Sequence, residues 1–64
     1  MRNKIKELRK QLGLRQEDMA KELGVTRQTI NAIENNKYNP TLELAMKLAI
    51  LLRRPVEEIF KLDD

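Results

Sequence analysis

The 64-residue chain has no cysteine, no histidine and no tryptophan, and only two glycines, two prolines, one tyrosine and one phenylalanine. Without cysteine there is no disulfide and no thiolate nucleophile. Without histidine as well, the ordinary zinc and haem ligand sets are missing. No clustered acid pair stands in for them, so no catalytic constellation is visible and no enzyme activity, metal or cofactor is expected. No apolar run approaches the ~18 residues of a membrane span. No charged opening followed by an apolar stretch marks a signal peptide, so no membrane association is expected and the expected location is cytoplasmic. A single domain fills residues 1–64. A chain this short buries only about 60% of its unfolded surface. With no covalent staple available, a second copy is the remaining source of burial, and a homodimer is expected.

What the chain has is charge. Lysine and arginine number 13, against 10 aspartates and glutamates, for a net +3. The distribution is uneven. Residues 1–54 hold 12 of the basic groups and six of the acidic ones. Residues 55–64 set Lys61 against Glu57, Glu58, Asp63 and Asp64. A basic body with an acidic end provides one face for a polyanion and keeps the other away from it.

Gly13, Gly24, Asn35-Asn36, Asn39-Pro40 and Pro55 cut the chain into five pieces of helical length. The first, about 3–12, has Asn3 as N-cap and Gly13 after its end. Ile5, Leu8 and Leu12 share its apolar face. The second, about 16–23, carries Met19, Ala20 and Leu23 and stops at Gly24. The third starts at Thr26, turns Ile30 and Ile33 inward and ends near Asn35. The fourth follows Thr41, with a stripe of Leu42, Ala45, Leu48, Ala49 and Leu52. Leu44, Met46, Ile50 and Leu51 occupy most of its other positions, as in a helix central to the core or partly covered by a partner. The fifth begins at Pro55 and carries Val56, Ile59 and Phe60. Strand signals are absent, apart from a short extended tail after Phe60. The fold class is all-α, a compact bundle of five short helices.

Residues 16–33 carry the functional pattern. Two short helices meet at Leu23-Gly24-Val25-Thr26, a turn tight enough to hold them at a steep angle. Ala20 leaves room for the second helix. Met19, Leu23, Val25, Ile30 and Ile33 form a shared apolar wedge. The outward side chains of the later helix are Arg27, Gln28, Thr29, Asn31 and Ala32. Arginine pairs with guanine, glutamine and asparagine with adenine, and a methyl group with thymine. A solvated helix held by surface ion pairs would show Glu and Lys there instead.

These residues resemble the Cro/repressor-type helix-turn-helix proteins, also called the XRE family. The likeness rests on Ile5-Lys6-Glu7-Leu8-Arg9, Leu14-Arg15-Gln16, Met19-Ala20, Leu23-Gly24-Val25, Gln28-Thr29-Ile30, Ile33-Glu34, Lys37 to Leu42, and Leu48-Ala49. It covers about residues 3–60 and is greatest for minimal one-domain repressors such as the cytolysin-operon regulator. It implies a compact five-helix, lambda-repressor-like fold with the helix-turn-helix at helices two and three. It also implies a sequence-specific transcription regulator, a homodimeric repressor on an inverted-repeat operator. The alternative it leaves open is an antitoxin that also controls its own promoter. By resemblance, Arg27, Gln28, Asn31 and Ala32 read bases. Gln16 holds a phosphate and braces the first reading residue. Thr26, Thr29, Asn35, Lys37, Tyr38 and Asn39 grip phosphates, and Arg9 and Glu34 form a buried ion pair. Double-stranded DNA and a second copy are the implied partners; no small-molecule ligand is.

Two positions depart from the family. Arg15 replaces the usual Ser or Thr cap of helix two, a loss of about 1 kcal/mol, and is free to reach a phosphate instead. Asn36 replaces a common glycine and tolerates the left-handed conformation. The apolar residues of helix five exceed the needs of one small core. Ile59 is expected mostly to close the bottom of the monomer core. Pro55, Val56 and part of Phe60, with Asn39 and Pro40 at the edge, are assigned to a dimer seam.

Overall fold

The computed structural model describes residues 1–63; Asp64, the last residue of the acidic end, lies outside them. The elements run β1 (Arg2–Asn3), α1 (Ile5–Gln11), α2 (Gln16–Leu23), α3 (Arg27–Glu34), α4 (Leu42–Leu52), α5 (Val56–Ile59) and β2 (Phe60–Lys61). The five expected helices are present, and α2 and α3 pack most extensively on each other.

The first four helices end in one device. Gly13, Gly24, Asn36 and Arg53 all have positive φ, at 71°, 71°, 61° and 56°. At each end the next amide reaches back five residues: Leu14 to Arg9 O, Val25 to Ala20 O, Lys37 to Ala32 O and Arg54 to Ala49 O, at 2.9–3.1 Å. The positive-φ residue itself bonds three back. This paired arrangement satisfies carbonyls that a helix end leaves open and turns the chain sharply. Asn36 adopts the geometry expected of it. Arg53 holds the same geometry without glycine's freedom.

The helix starts are less uniform. Thr26 and Thr41 cap α3 and α4, their hydroxyls accepting from the Thr29 and Leu44 amides at 3.2 Å. Arg15 offers no capping acceptor to α2. Asp18 takes over part of that work by accepting the Arg15 amide at 2.9 Å, one half of a capping box. Asn3 is not the N-cap of α1. It lies in β1, one residue before the N-cap Lys4, and its Oδ1 accepts from the Ile5 amide at 3.1 Å.

The extended tail after Phe60 has a partner. β1 and β2 pair antiparallel, Arg2 opposite Lys61 and Asn3 opposite Phe60. The Lys4 amide continues the clasp to Ile59 O at 2.8 Å. The Met1 amine lies 2.7 Å from the Asp63 carboxylate. This bond, with Arg2 nearby, holds the Asp63 carboxyl below its ordinary range.

The core draws on every helix: Ile5, Met19, Ile30, Ile33, Leu48 and Ile59 are wholly buried, with Leu8, Ala20, Leu23, Leu44, Ala45, Leu52 and Phe60 around them. Phe60 and Ile59 therefore complete the protomer's own core, and Val56 packs against its edge. The expected stripe of α4 is rotated. Leu44 is inside, whereas Leu42 is 74% exposed and Ala49 only partly buried. Met46 at 55% and Ile50 at 78% continue the outer line, because residues four apart share one side of a helix.

Candidate nucleic-acid interface

The turn of Gly24, Val25 and Thr26 sets α3 against α2. Ile30 and Ile33 pin α3 from beneath, and Val25 packs on the same core. The opposite side of α3 then faces solvent. Arg27, Gln28, Asn31 and Ala32 line one open, shallow concavity there, and Lys37 from the following loop completes it. All four residues expected to read bases thus share one surface. A second hollow beside it joins Arg15, Gln16 and Glu17 at the start of α2 to Arg27 and Arg9.

The polar groups around this face are tied to one another. Thr26 and Thr29 place their hydroxyl oxygens 3.0 Å apart. Asn35 Nδ2 donates to both the Asn31 carbonyl and Asn31 Oδ1, at 2.9 Å each. The Asn31 amide nitrogen is left to donate outward. Tyr38 and Thr29 share a groove with Gly24 and Thr41. Tyr38 is 46% exposed. Asn39 is exposed and Pro40 half-buried.

Arg15 is engaged with acids of its own helix. It donates to Asp18 through Nε at 3.1 Å and lies 3.1 Å from Glu17. The hydrogen bond to Asp18, then the charges of Asp18 and Glu17, raise the Arg15 pKa; the same bond and the Arg15 amide lower that of Asp18. A phosphate must compete with these carboxylates for Arg15. Arg27 and Lys37 make no ion pair among the described residues, so their charge is available to a polyanion.

Beneath the face lies the ion pair expected from the family. Arg9 Nε donates to Glu34 Oε2 at 2.7 Å and Arg9 Nη2 to Glu34 Oε1 at 3.2 Å. Both side chains are almost fully buried. Arg9 Nη1 also donates to Leu14 O at 2.9 Å, so one guanidinium joins α1, the first loop and the end of α3. Two-pronged geometry and a satisfied third donor offset the desolvation of the pair. No buried side-chain polar atom lacks a partner among the described residues.

Asn3 plays a part that sequence reasoning missed. Its Nδ2 donates to Ile33 O at 2.8 Å and to Asn36 Oδ1 at 3.1 Å. It thereby ties the terminal clasp to the end of α3. An asparagine beside a helix start reads as a cap, and only the tertiary fold brings it across to the end of α3.

A buried wedge under two steeply joined helices, with a polar and mostly uncharged face on the second, defines the helix-turn-helix class of DNA-binding domains. The chain matches the helix-turn-helix family over residues 5–59 and belongs to it, as a Cro- or XRE-type transcriptional regulator. It is a sequence-specific DNA-binding protein; this family regulates transcription and does not catalyse reactions. Among similar proteins is an uncharacterised HTH-type transcriptional regulator of Methanocaldococcus jannaschii, 52% identical over all of this chain and 97% of the relative. Another is the uncharacterised HTH-type regulator YgzD of Bacillus subtilis, 44% identical over all of this chain and 97% of the relative. The ImmF control region 10 kDa protein of Bacillus phage phi105 is 42% identical over 75% of this chain and 53% of its own length. No helix among the described residues is long and apolar enough to cross a membrane.

Proposed function

We propose that the protein is a homodimeric repressor of the minimal one-domain kind that binds an inverted-repeat operator. The observation that carries this reading is the placement of Arg27, Gln28, Asn31 and Ala32 on one exposed face beside Lys37. α3 lies in the major groove. Arg27 and Gln28 read the first bases, and Asn31 and Ala32 reach the next ones. Gln16, Thr26, Thr29, Asn35, Lys37, Tyr38 and Asn39 hold the phosphates on either side and fix the register, joined by Arg15 once it leaves its carboxylates.

Two copies related by a two-fold axis supply two such helices. The protomer measures 31 × 21 × 20 Å between Cα atoms. Side by side, two copies suit half-sites about 34 Å apart, one turn of DNA. The seam takes Pro55 and Val56, with Asn39 and Pro40 at its edge. Ile59 and Phe60 support it from within. Leu42, Met46 and Ile50 form a further exposed apolar line along α4. Repression follows from occupation of the promoter.

Selection of bound duplexes from a random DNA library tests this directly. The expected product is an inverted repeat with half-sites one turn apart. Recovery of unrelated sequences refutes base reading, and a single half-site refutes the dimer, as does sedimentation as a monomer on that operator. A neighbouring gene whose product arrests growth unless this chain is co-expressed would favour the antitoxin role over the simple repressor.

A further inference from the structure

We propose that Glu34 is a positioning residue for base recognition, acting on Arg27 through the amide of Gln16. This inference rests on the reading of Arg27 as a base-reading side chain.

Glu34 Oε1 accepts from Gln16 Nε2 at 3.1 Å as well as from Arg9. A carboxylate only accepts hydrogen bonds, so it selects the nitrogen end of the Gln16 amide. The oxygen end then faces Arg27, while the second hydrogen of the amide nitrogen stays available to a phosphate. Gln16 Oε1 stands 3.5 Å from the Arg27 Nε donor. A continuous path results: Arg9 fixes Glu34, Glu34 fixes which way the Gln16 amide faces, and Gln16 presents an acceptor to Arg27. Turned over, the same amide would offer Arg27 two N–H groups and repel it.

The consequence is one of specificity. Arg27 in isolation is a flexible, exposed chain able to follow any nearby phosphate. Held at Nε by an acceptor, its Nη groups stay aimed as a fork, the geometry that a guanine edge requires. The buried pair beneath the helix thereby helps decide which base is read above it. Glu34 is too deeply buried to touch DNA and influences binding only through its neighbours.

The test uses the full chain, free and bound to duplexes carrying the half-site recovered by selection. Three variants are compared: Gln16→Ala, the charge-neutral pair Arg9→Met/Glu34→Leu, which leaves Gln16 Nε2 no acceptor at position 34, and all three changes combined. Discrimination among the four bases at the position sensitive to Arg27→Ala is measured by competition. Gln16→Ala and the neutral pair should each lower discrimination by about tenfold, within the range of directly coupled side chains, and their combination should lower it no further. Additive losses would overturn the proposal, since Glu34 would then act without Gln16.

In ¹⁵N-labelled free protein, the Arg27 Nε–H resonance should move in Gln16→Ala and in the neutral pair alike. An unmoved resonance in the folded neutral pair would also overturn the proposal. If that pair does not fold, Gln16→Glu carries the test, because a carboxylate keeps an acceptor for Arg27 but cannot donate to Glu34. Loss of discrimination supports the anchor; full retention overturns it. The labelled free protein requires no operator, so failure of the DNA-reading model and failure of this coupling are seen separately.

Discussion

Replacing Arg53 by glycine should stabilise the protein, even though it removes a charged side chain. Arg53 ends α4 with φ at 56°, and its side chain is exposed. An L-residue in the left-handed region costs about 1–2 kcal/mol from the contact of Cβ with the following carbonyl. Glycine removes that cost but brings greater freedom to the unfolded chain, worth about 0.4–1 kcal/mol in the other direction. The charge near the carbonyl end of α4 also contributes, so Arg53→Ala is the proper reference: it loses the charge and keeps the Cβ. Arg53→Gly should therefore exceed Arg53→Ala by about 1 kcal/mol, seen as about 4–8 °C in melting temperature. The converse change is Gly24→Ala, at φ 71°. A Cβ there meets nothing within 4 Å, so the loss of about 1 kcal/mol is purely conformational. Urea unfolding followed by circular dichroism measures all three, and an unchanged m-value shows that only stability has moved. Equal stability of the glycine and alanine variants at position 53 would refute the argument.

Other changes act at the proposed DNA face. Arg27→Ala should cost about 1–3 kcal/mol on the selected operator and relax preference at one base pair, as read by competition binding. Lys37→Ala should weaken operator and unrelated DNA about equally and reduce the slope of log affinity against log salt by about 1 per subunit. Asp18 adds a dependence on pH. Its folded pKa lies below its ordinary value of 3.8, chiefly through the Arg15 side chain, so its contribution is present above that value and fades as pH falls through the folded pKa. The stability gap between the protein and Asp18→Asn should close in acid, and a gap unchanged at pH 2 would contradict the assignment.

Much of this fold is written in local chemistry. Gly13, Gly24 and Asn36 end helices because a positive φ is easy for them, and that preference is visible in the sequence. Arg53 gives no such signal: its conformation goes with the turn that brings α5 back against α4, a tertiary feature. Thr26 and Thr41 behave as caps because a hydroxyl reaches its own helix. Asn3 divides its amide: Oδ1 accepts from Ile5 at the start of α1, a local contact, while Nδ2 reaches Ile33 and Asn36 across the fold, which no local pattern shows. The stripe of α4 was ambiguous because nearly every position is apolar, so periodicity alone did not choose the buried side. The two-residue β1 is too short for alternation to register. At the functional face, composition and spacing were sufficient to gather Arg27, Gln28, Asn31 and Ala32. The Arg9–Glu34 pair came from family likeness, and its connection through Gln16 is a matter of distances alone.

The clasp between β1 and β2 has a consequence for the order of folding. Arg2 and Lys61 meet across almost the entire chain, whereas α2 and α3 are neighbours in sequence. Closing the longer loop demands more chain entropy before any contact repays it. The helix-turn-helix should assemble first and the ends join last. In native-state hydrogen exchange, the Lys4 amide, bonded to Ile59 O, should then open more readily than the amides in the middle of α2. The helix-turn-helix should then be the early, durable part of the molecule, and the clasp the latch that closes last.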